Sequence, residues 1–135
     1  MTNPLTTYAG ADLGREVCRG QITLTQGEID RFCGLMGYDS TQYQGVAPTS
    51  MCLAFGLRLG WEAQVFPRGV IRVGDENTYG VPARAGDVLV TTLVITDRFE
   101  RKGRRFLTYQ MDTTNPAGQQ VCRVKFTAII PAGAA

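Results

Sequence analysis

The chain is 135 residues long, carries 14 Lys and Arg against 12 Asp and Glu for a net charge of +2, and contains no histidine. That length reads as one domain able to bury about two thirds of its unfolded surface, with no disulfide or metal staple required. The charge is too mild to imply nucleic acid, and the missing histidine removes Ser-His-Asp triads, Cys-His pairs, histidine metal sites and the commonest general base together.

Any chemistry therefore falls to a carboxylate, tyrosine, thiol, lysine or bound water. Cys18, Cys33, Cys52 and Cys122 are widely spaced with no C-x-x-C pair, and read as reduced, small buried thiols. The opening MTNPLTTYAG lacks the basic flank and apolar run of a signal peptide or membrane span. The expectation is a cytoplasmic chain without a membrane or nucleic-acid partner.

Residues 1–14 are rich in Thr, Gly and Ala and read as a poorly anchored arm, followed by a single domain over 15–131 and a tail over 132–135. Glu16, Val17, Arg19 and Gln21 lead into a short extended segment that ends at Leu24. Thr25 followed three residues later by Glu28 forms a capping box, and Ile29, Phe32, Cys33 and Met36 share one face at helical spacing. A short amphipathic helix is predicted, ending at Gly37, with a loop over 38–46.

Residues 47–66, APTSMCLAFGLRLGWEAQVF, are apolar on every side at 3.6-residue spacing and predict a central helix buried nearly all round. Pro48 suits the first helical turn. Thr49 and Ser50 bring unpaired N–H groups and hydroxyls to its positive end, which can hold an anion or a carbonyl oxygen.

Beyond this helix the pattern is strand. Residues 70–79 begin it, with Asp75 and Asn77 alternating with Ile71, Val73 and Tyr79 on one face, and Gly80 and Pro82 break it. Residues 88–99 form a second long strand, and Arg101-Lys102-Gly103 a hairpin turn. Residues 106–114 alternate again, Asn115-Pro116-Ala117-Gly118 turns the chain, and Cys122, Val124, Phe126, Ala128 and Ile130 line one face of a last strand whose other face carries Arg123 and Lys125. One antiparallel sheet wrapped around one helix is an α+β hotdog fold.

Four segments carry a family resemblance. QITLTQGEIDRFCGLMG (21–37), APTSM (47–51), PARAGDVL (82–89) and ERKGRRFLTYQMDTTNPAGQQV (100–121), in that order along a match over about residues 15–131, resemble the MaoC-like dehydratases, the hydratase-2 hotdogs, and in particular the divergent amino-terminal halves of double-hotdog hydratases. The resemblance implies an acyl-thioester ligand, usually acyl-CoA, bound at a homodimer or heterodimer interface beside the central helix. Coenzyme A then enters as part of the substrate, with no separate cofactor and no metal. Catalytic members add water to a trans-2-enoyl thioester through an Asp and a His in G-D-x-N-P-x-H. Here Gly37 is followed by Tyr38-Asp39-Ser40-Thr41: the histidine is missing and the aspartate is displaced by one position.

Asp39 is the candidate catalytic residue, against a simpler role capping a turn. Tyr38, Tyr43, Asp75 and Asn77 are candidates for lining the pocket, and Thr49 and Ser50 for polarising the thioester carbonyl. Within the basic run Arg101, Lys102, Arg104 and Arg105, the last two are candidates for CoA phosphates. The expected function is the non-catalytic subunit of a heteromeric enoyl-CoA hydratase or dehydratase. Alternatives are a self-sufficient hydratase, cyclase or isomerase using Asp39 and a tyrosine, and a non-enzymatic acyl-CoA binder. A thioesterase ranks last, since the only carboxylate on the central helix is Glu62, near its far end.

Overall fold

The computed structural model describes residues 7–132. In chain order it contains β1 (Glu16–Thr23), α1 (Gln26–Met36), α2 (Cys52–Glu62), β2 (Ile71–Tyr79), β3 (Val88–Arg101), β4 (Arg104–Thr114) and β5 (Gln120–Ile130), with short 3-10 turns at Ser40–Gln42 and Thr49–Met51. The strands form one antiparallel sheet in the order β1-β3-β4-β5-β2. It wraps α2, which is the hotdog arrangement. No helix among the described residues is long and apolar enough to cross a membrane.

Two-residue periodicity builds the inner face. Leu89, Leu93 and Ile95 of β3, Leu107, Tyr109 and Met111 of β4, and Val124, Phe126 and Ala128 of β5 are buried together with Cys52 and Phe55 of α2. The helix lies close because two of its residues have no side chain: a Cβ at Gly56 would stand 2.6 Å from Met111, and one at Gly60 would overlap Phe66.

The helix departs from expectation in two ways. It is buried on one face only: Cys52, Phe55, Gly56 and Gly60 face the sheet, while Arg58 and Glu62 pair at 2.9 Å in solvent and Trp61 is 56% exposed. A single sheet covers one side of a helix, so the other stays wet. It also starts late and ends early. Pro48 has an extended ψ of 143° and precedes a 3-10 turn instead of occupying the first turn of α2. Gln64 takes a φ of 57°, which returns Val65 and Phe66 to the core.

In α1 the Thr25 hydroxyl accepts from the Glu28 amide at 3.2 Å and Gly37 closes the helix at φ 74°. Ile29 and Cys33 are buried, but Met36 in the last turn is exposed. At the β3–β4 hairpin both Lys102 (φ 52°) and Gly103 (φ 74°) are left-handed, the two-residue turn whose twist matches its strands.

Residues 1–6 of the expected arm and 133–135 of the tail lie outside the described residues. The remainder of the arm is anchored. Gly14 donates to the Ile95 carbonyl at 2.9 Å, and the Arg98 guanidinium donates to the carbonyls of Tyr8, Ala9 and Ala11 at 3.2–3.3 Å. A composition-based reading misses this because the anchoring arginine lies in β3, far along the chain.

Candidate functional site

A cleft of about 250 Å³ opens where the helix start meets one end of the sheet. Its walls come from the segment after α1 (Gln42, Tyr43, Val46, Ala47), the helix start (Thr49, Cys52), the chain leaving β2 (Tyr79, Gly80, Val81, Pro82, Ala83) and Val121 of β5. Backbone bonds zip two of these walls together: Ala47 N–H to the Ala83 carbonyl at 2.9 Å and Ala85 N–H to the Gly45 carbonyl at 3.0 Å. Gln26, the first residue of α1, clamps the same loop with both ends of its amide, donating to the Tyr43 carbonyl at 3.0 Å and accepting from the Gly45 amide at 2.7 Å.

Of the residues singled out from sequence, the structure brings four to this end of the molecule. Tyr43 and Thr49 line the cleft. Tyr38 and Ser50 stand behind them with hydroxyls 3.0 Å apart, and the Tyr38 ring packs between Tyr43 and Phe32. The first N–H groups of a helical stretch have no partner within it, so the turn over Thr49–Met51 does not use the amides of Thr49 and Ser50.

Asp39 is exposed and lies outside the cleft lining. Its carboxylate accepts from the Thr41 hydroxyl at 2.7 Å and the Thr41 amide at 3.0 Å, capping the 3-10 turn. Those two bonds, the hydroxyl's first, hold its carboxyl below the ordinary value.

The β2 candidates separate. A bulge at Val73 splits the expected face: Ile71 pairs with Ile129 on the outer side, whereas Asp75, Asn77 and Tyr79 sit opposite the buried Phe126, Val124 and Cys122. Asp75 is taken up by Arg72 at 3.0 Å and borders a separate polar concavity of about 480 Å³ with Glu76, Asp97 and Lys125. Asn77 buries its carbonyl oxygen without a hydrogen-bond partner among the described residues.

Arg104 and Arg105 lie at the other end of the sheet. The eleven residues of β4 separate Arg104 from Thr114, which is level with Gln120 beside the cleft; at about 3.3 Å per residue that is roughly 30 Å. Arg105 meets Glu100 at 3.6 Å and lies over the Tyr8 ring. Within one chain these arginines do not reach the cleft.

Sequence reasoning missed Cys52, Gly80 and Val121 as cleft residues. Gly80 had a signal, as the break after β2: a Cβ there would run into the Gln120 carbonyl, so only glycine lets β2 leave the sheet at this point. Among the described residues no three His, Cys, Asp or Glu side chains gather as a metal site.

The sheet, the central helix and the cleft beside the helix start define a hotdog-fold protein of the kind seen in hydratases and dehydratases. Solved structures with this fold include the MaoC-like dehydratase from Rhodospirillum rubrum (TM-score 0.76, 20% identity, covering 93% of this chain and 96% of that one) and the unliganded (R)-hydratase PhaJ1 from Pseudomonas aeruginosa (0.75, 18%, 96% and 88%). A third is the HadBC (3R-hydroxyacyl-ACP dehydratase) complex from Mycobacterium tuberculosis (0.70, 17%, 89% and 98%). At these identities the likeness is one of fold. No protein-family model and no curated protein sequence matches the chain.

Proposed function

We propose that this chain binds an acyl thioester such as an acyl-CoA and serves as the subunit without a base in a heteromeric enoyl-CoA hydratase or dehydratase. The observation that carries the proposal is the chemistry of the cleft: its lining holds hydroxyls, an amide, a thiol and apolar groups, but no carboxylate, lysine or histidine. Adding water to an enoyl thioester needs a base for the water as well as donors for the carbonyl oxygen. The Thr49 and Ser50 amides fit the second task. Asp39, held by Thr41 and facing solvent, does not fit the first.

A partner hotdog would supply the base, and the fold leaves an edge for it. Among the described residues β2 pairs only with β5, and its Ile71 and Val73 are 58% and 50% exposed. The HadBC structure, described as a complex, supports such pairing. Antiparallel pairing of β2 with an equivalent strand about an axis near Asp75 would also bring the distant arginines into use. The row through Val81 would then continue into the partner's positions matching Gly69, Pro131 and Arg104, since Ile71 is level with Ile129 and Ile130 with Arg105 in the sheet. Three strand spacings of about 4.8 Å separate cleft and hairpin along that row, roughly 15 Å. An extended pantetheine arm could span it, and guanidinium groups suit the CoA phosphates. Four free thiols suit a reducing cytoplasm.

The test is to purify the chain alone and after co-expression with a histidine-bearing hotdog, and to follow crotonyl-CoA hydration. Activity confined to the complex is expected. Robust turnover by the isolated chain, surviving removal of contaminating hydratase, overturns the proposal in favour of self-sufficient chemistry.

A further inference from the structure

Cys52 and Cys122 meet where the head of α2 crosses β5. The Cys122 thiol donates to the Cys52 carbonyl at 3.8 Å across a separation of 70 residues in sequence, and each thiol acts on the other's protonation. Both are buried, yet Cys52 borders the cleft, which gives a small solute a route to the pair. Thr113, level with Cys122 in the β4–β5 ladder, pairs its hydroxyl with that of Thr91 at 2.7 Å. The other two thiols are placed elsewhere, Cys18 on β1 and Cys33 on α1.

The pair shares its protons unequally. Its bond to Cys122, then burial, holds the Cys52 proton on, while the S–H of Cys52 and the hydroxyl of Thr113 pull the Cys122 thiol below its ordinary value. A thiolate is the species that attacks peroxides and disulfides, so a hydrogen-bonded dithiol is better set for oxidation than a single thiol buried in hydrocarbon.

We propose that Cys52 and Cys122 form a redox site, in which a hydroperoxide oxidises the two thiols to a disulfide that staples the head of the central helix to β5. The Cys122 sulfur gives its proton to water and attacks the peroxide oxygen; the O–O bond breaks, and the departing alkoxide or hydroxide takes up a proton from water in turn. The resulting sulfenic acid on Cys122 is attacked by the Cys52 sulfur, whose proton leaves with the displaced oxygen; the S–O bond breaks, an S–S bond forms, and the lost oxygen leaves as water. In sum, two thiols and one hydroperoxide give one disulfide, one alcohol or water, and one further water. The staple fixes the helix start that carries Thr49 and Ser50, so it acts on the ligand end of the molecule. It does not depend on which ligand binds there.

The whole chain, treated with hydrogen peroxide and analysed by mass spectrometry without reduction, tests this. The expected result is a loss of two hydrogens per chain, reversed by dithiothreitol, with a peptide map joining Cys52 to Cys122 while Cys18 and Cys33 remain open to alkylation. In Cys122→Ser the two-hydrogen loss disappears and oxidation of Cys52 slows by about tenfold or more. If that variant does not fold, the wild-type peptide map decides alone. Oxygen atoms added to separate cysteines with no linked peptide, linkage through Cys18 or Cys33, or an unreacted pair beside an oxidised Cys18 would each overturn the assignment.

Discussion

The hydroxyls of Tyr38 and Ser50 stand 3.0 Å apart and tie the segment after α1 to the turn that begins the central helix. Tyr38→Phe removes this bond and keeps the ring contacts with Phe32 and Tyr43. A part-buried hydrogen bond contributes about 1 kcal/mol net. The expected outcome is a fall of about that size in urea-unfolding stability, with a weakening of acyl-CoA binding as Ser50 loses its positioning partner. Calorimetric titration with a non-hydrolysable acyl-CoA measures the second effect.

Asp39 separates the leading proposal from self-sufficient catalysis. Losing a general base costs a factor of about 100 to 10,000, whereas losing a turn cap far from the chemistry should change kcat/KM of the reconstituted complex by less than about tenfold in Asp39→Asn. Its pH dependence has a definite sign. Bonds from Thr41 depress the carboxyl in the folded chain, so its contribution to stability is present above the unfolded-state value and is lost as pH falls through the folded-state value. Asp39→Asn should therefore flatten part of the acid-side decline in stability. A thousandfold loss of activity in a folded complex would make Asp39 catalytic.

Local chemistry made the element pattern legible. The Thr25–Glu28 box, Gly37, the Lys102-Gly103 turn and the alternation in β5 each state their structure within a few residues, and each stands in the fold as read. What was hidden depends on partners far away in the chain. One-sided burial of α2 follows from the number of sheets packed on it, the split of the β2 face from a single bulge, and the anchoring of residues 8–14 from Arg98. The site was half legible for the same reason. Tyr38, Tyr43, Thr49 and Ser50 lie close in sequence and come together, but Cys52 meets Cys122 only through the sheet, and Arg104 lies an entire strand length from the cleft.

Tyr109 offers a stability test. Its ring packs against Phe66 and Phe126, while its hydroxyl is buried with no hydrogen-bond partner among the described residues. An unsatisfied buried hydroxyl costs about 1–3 kcal/mol, so Tyr109→Phe should leave stability unchanged or raise it, in contrast to Tyr38→Phe. Burial also pushes the phenol of Tyr109 up from its ordinary value. A group raised in the folded state contributes stability below its unfolded value and loses it as pH rises through the folded one. Spectrophotometric titration should therefore show Tyr109 ionising only as the chain unfolds. A drop of several degrees in Tm for Tyr109→Phe would show that the hydroxyl has a partner in solution.

The exposed edge gives the last prediction. β2 has a free row of backbone groups on its outer side, exposes Ile71 and Val73, and leaves the Asn77 carbonyl oxygen buried without a donor. Such an edge invites pairing, and nothing in the described chain covers it. Sedimentation at micromolar concentration should find the isolated chain associated with itself, and a histidine-bearing hotdog, when present, should displace that self-association. Val73→Lys places a charge on the edge in both copies. Forgoing the burial of one valine costs about 1.5 kcal/mol per copy, so two copies lose about 3 kcal/mol and the dissociation constant should rise roughly a hundredfold. Circular dichroism should remain that of the wild type, because Val73 is the extra residue of a bulge and makes no ladder pair with β5. A wild-type chain that sediments as a compact monomer would remove the edge as an interface, and with it the route by which the partner's base and hairpin reach this cleft.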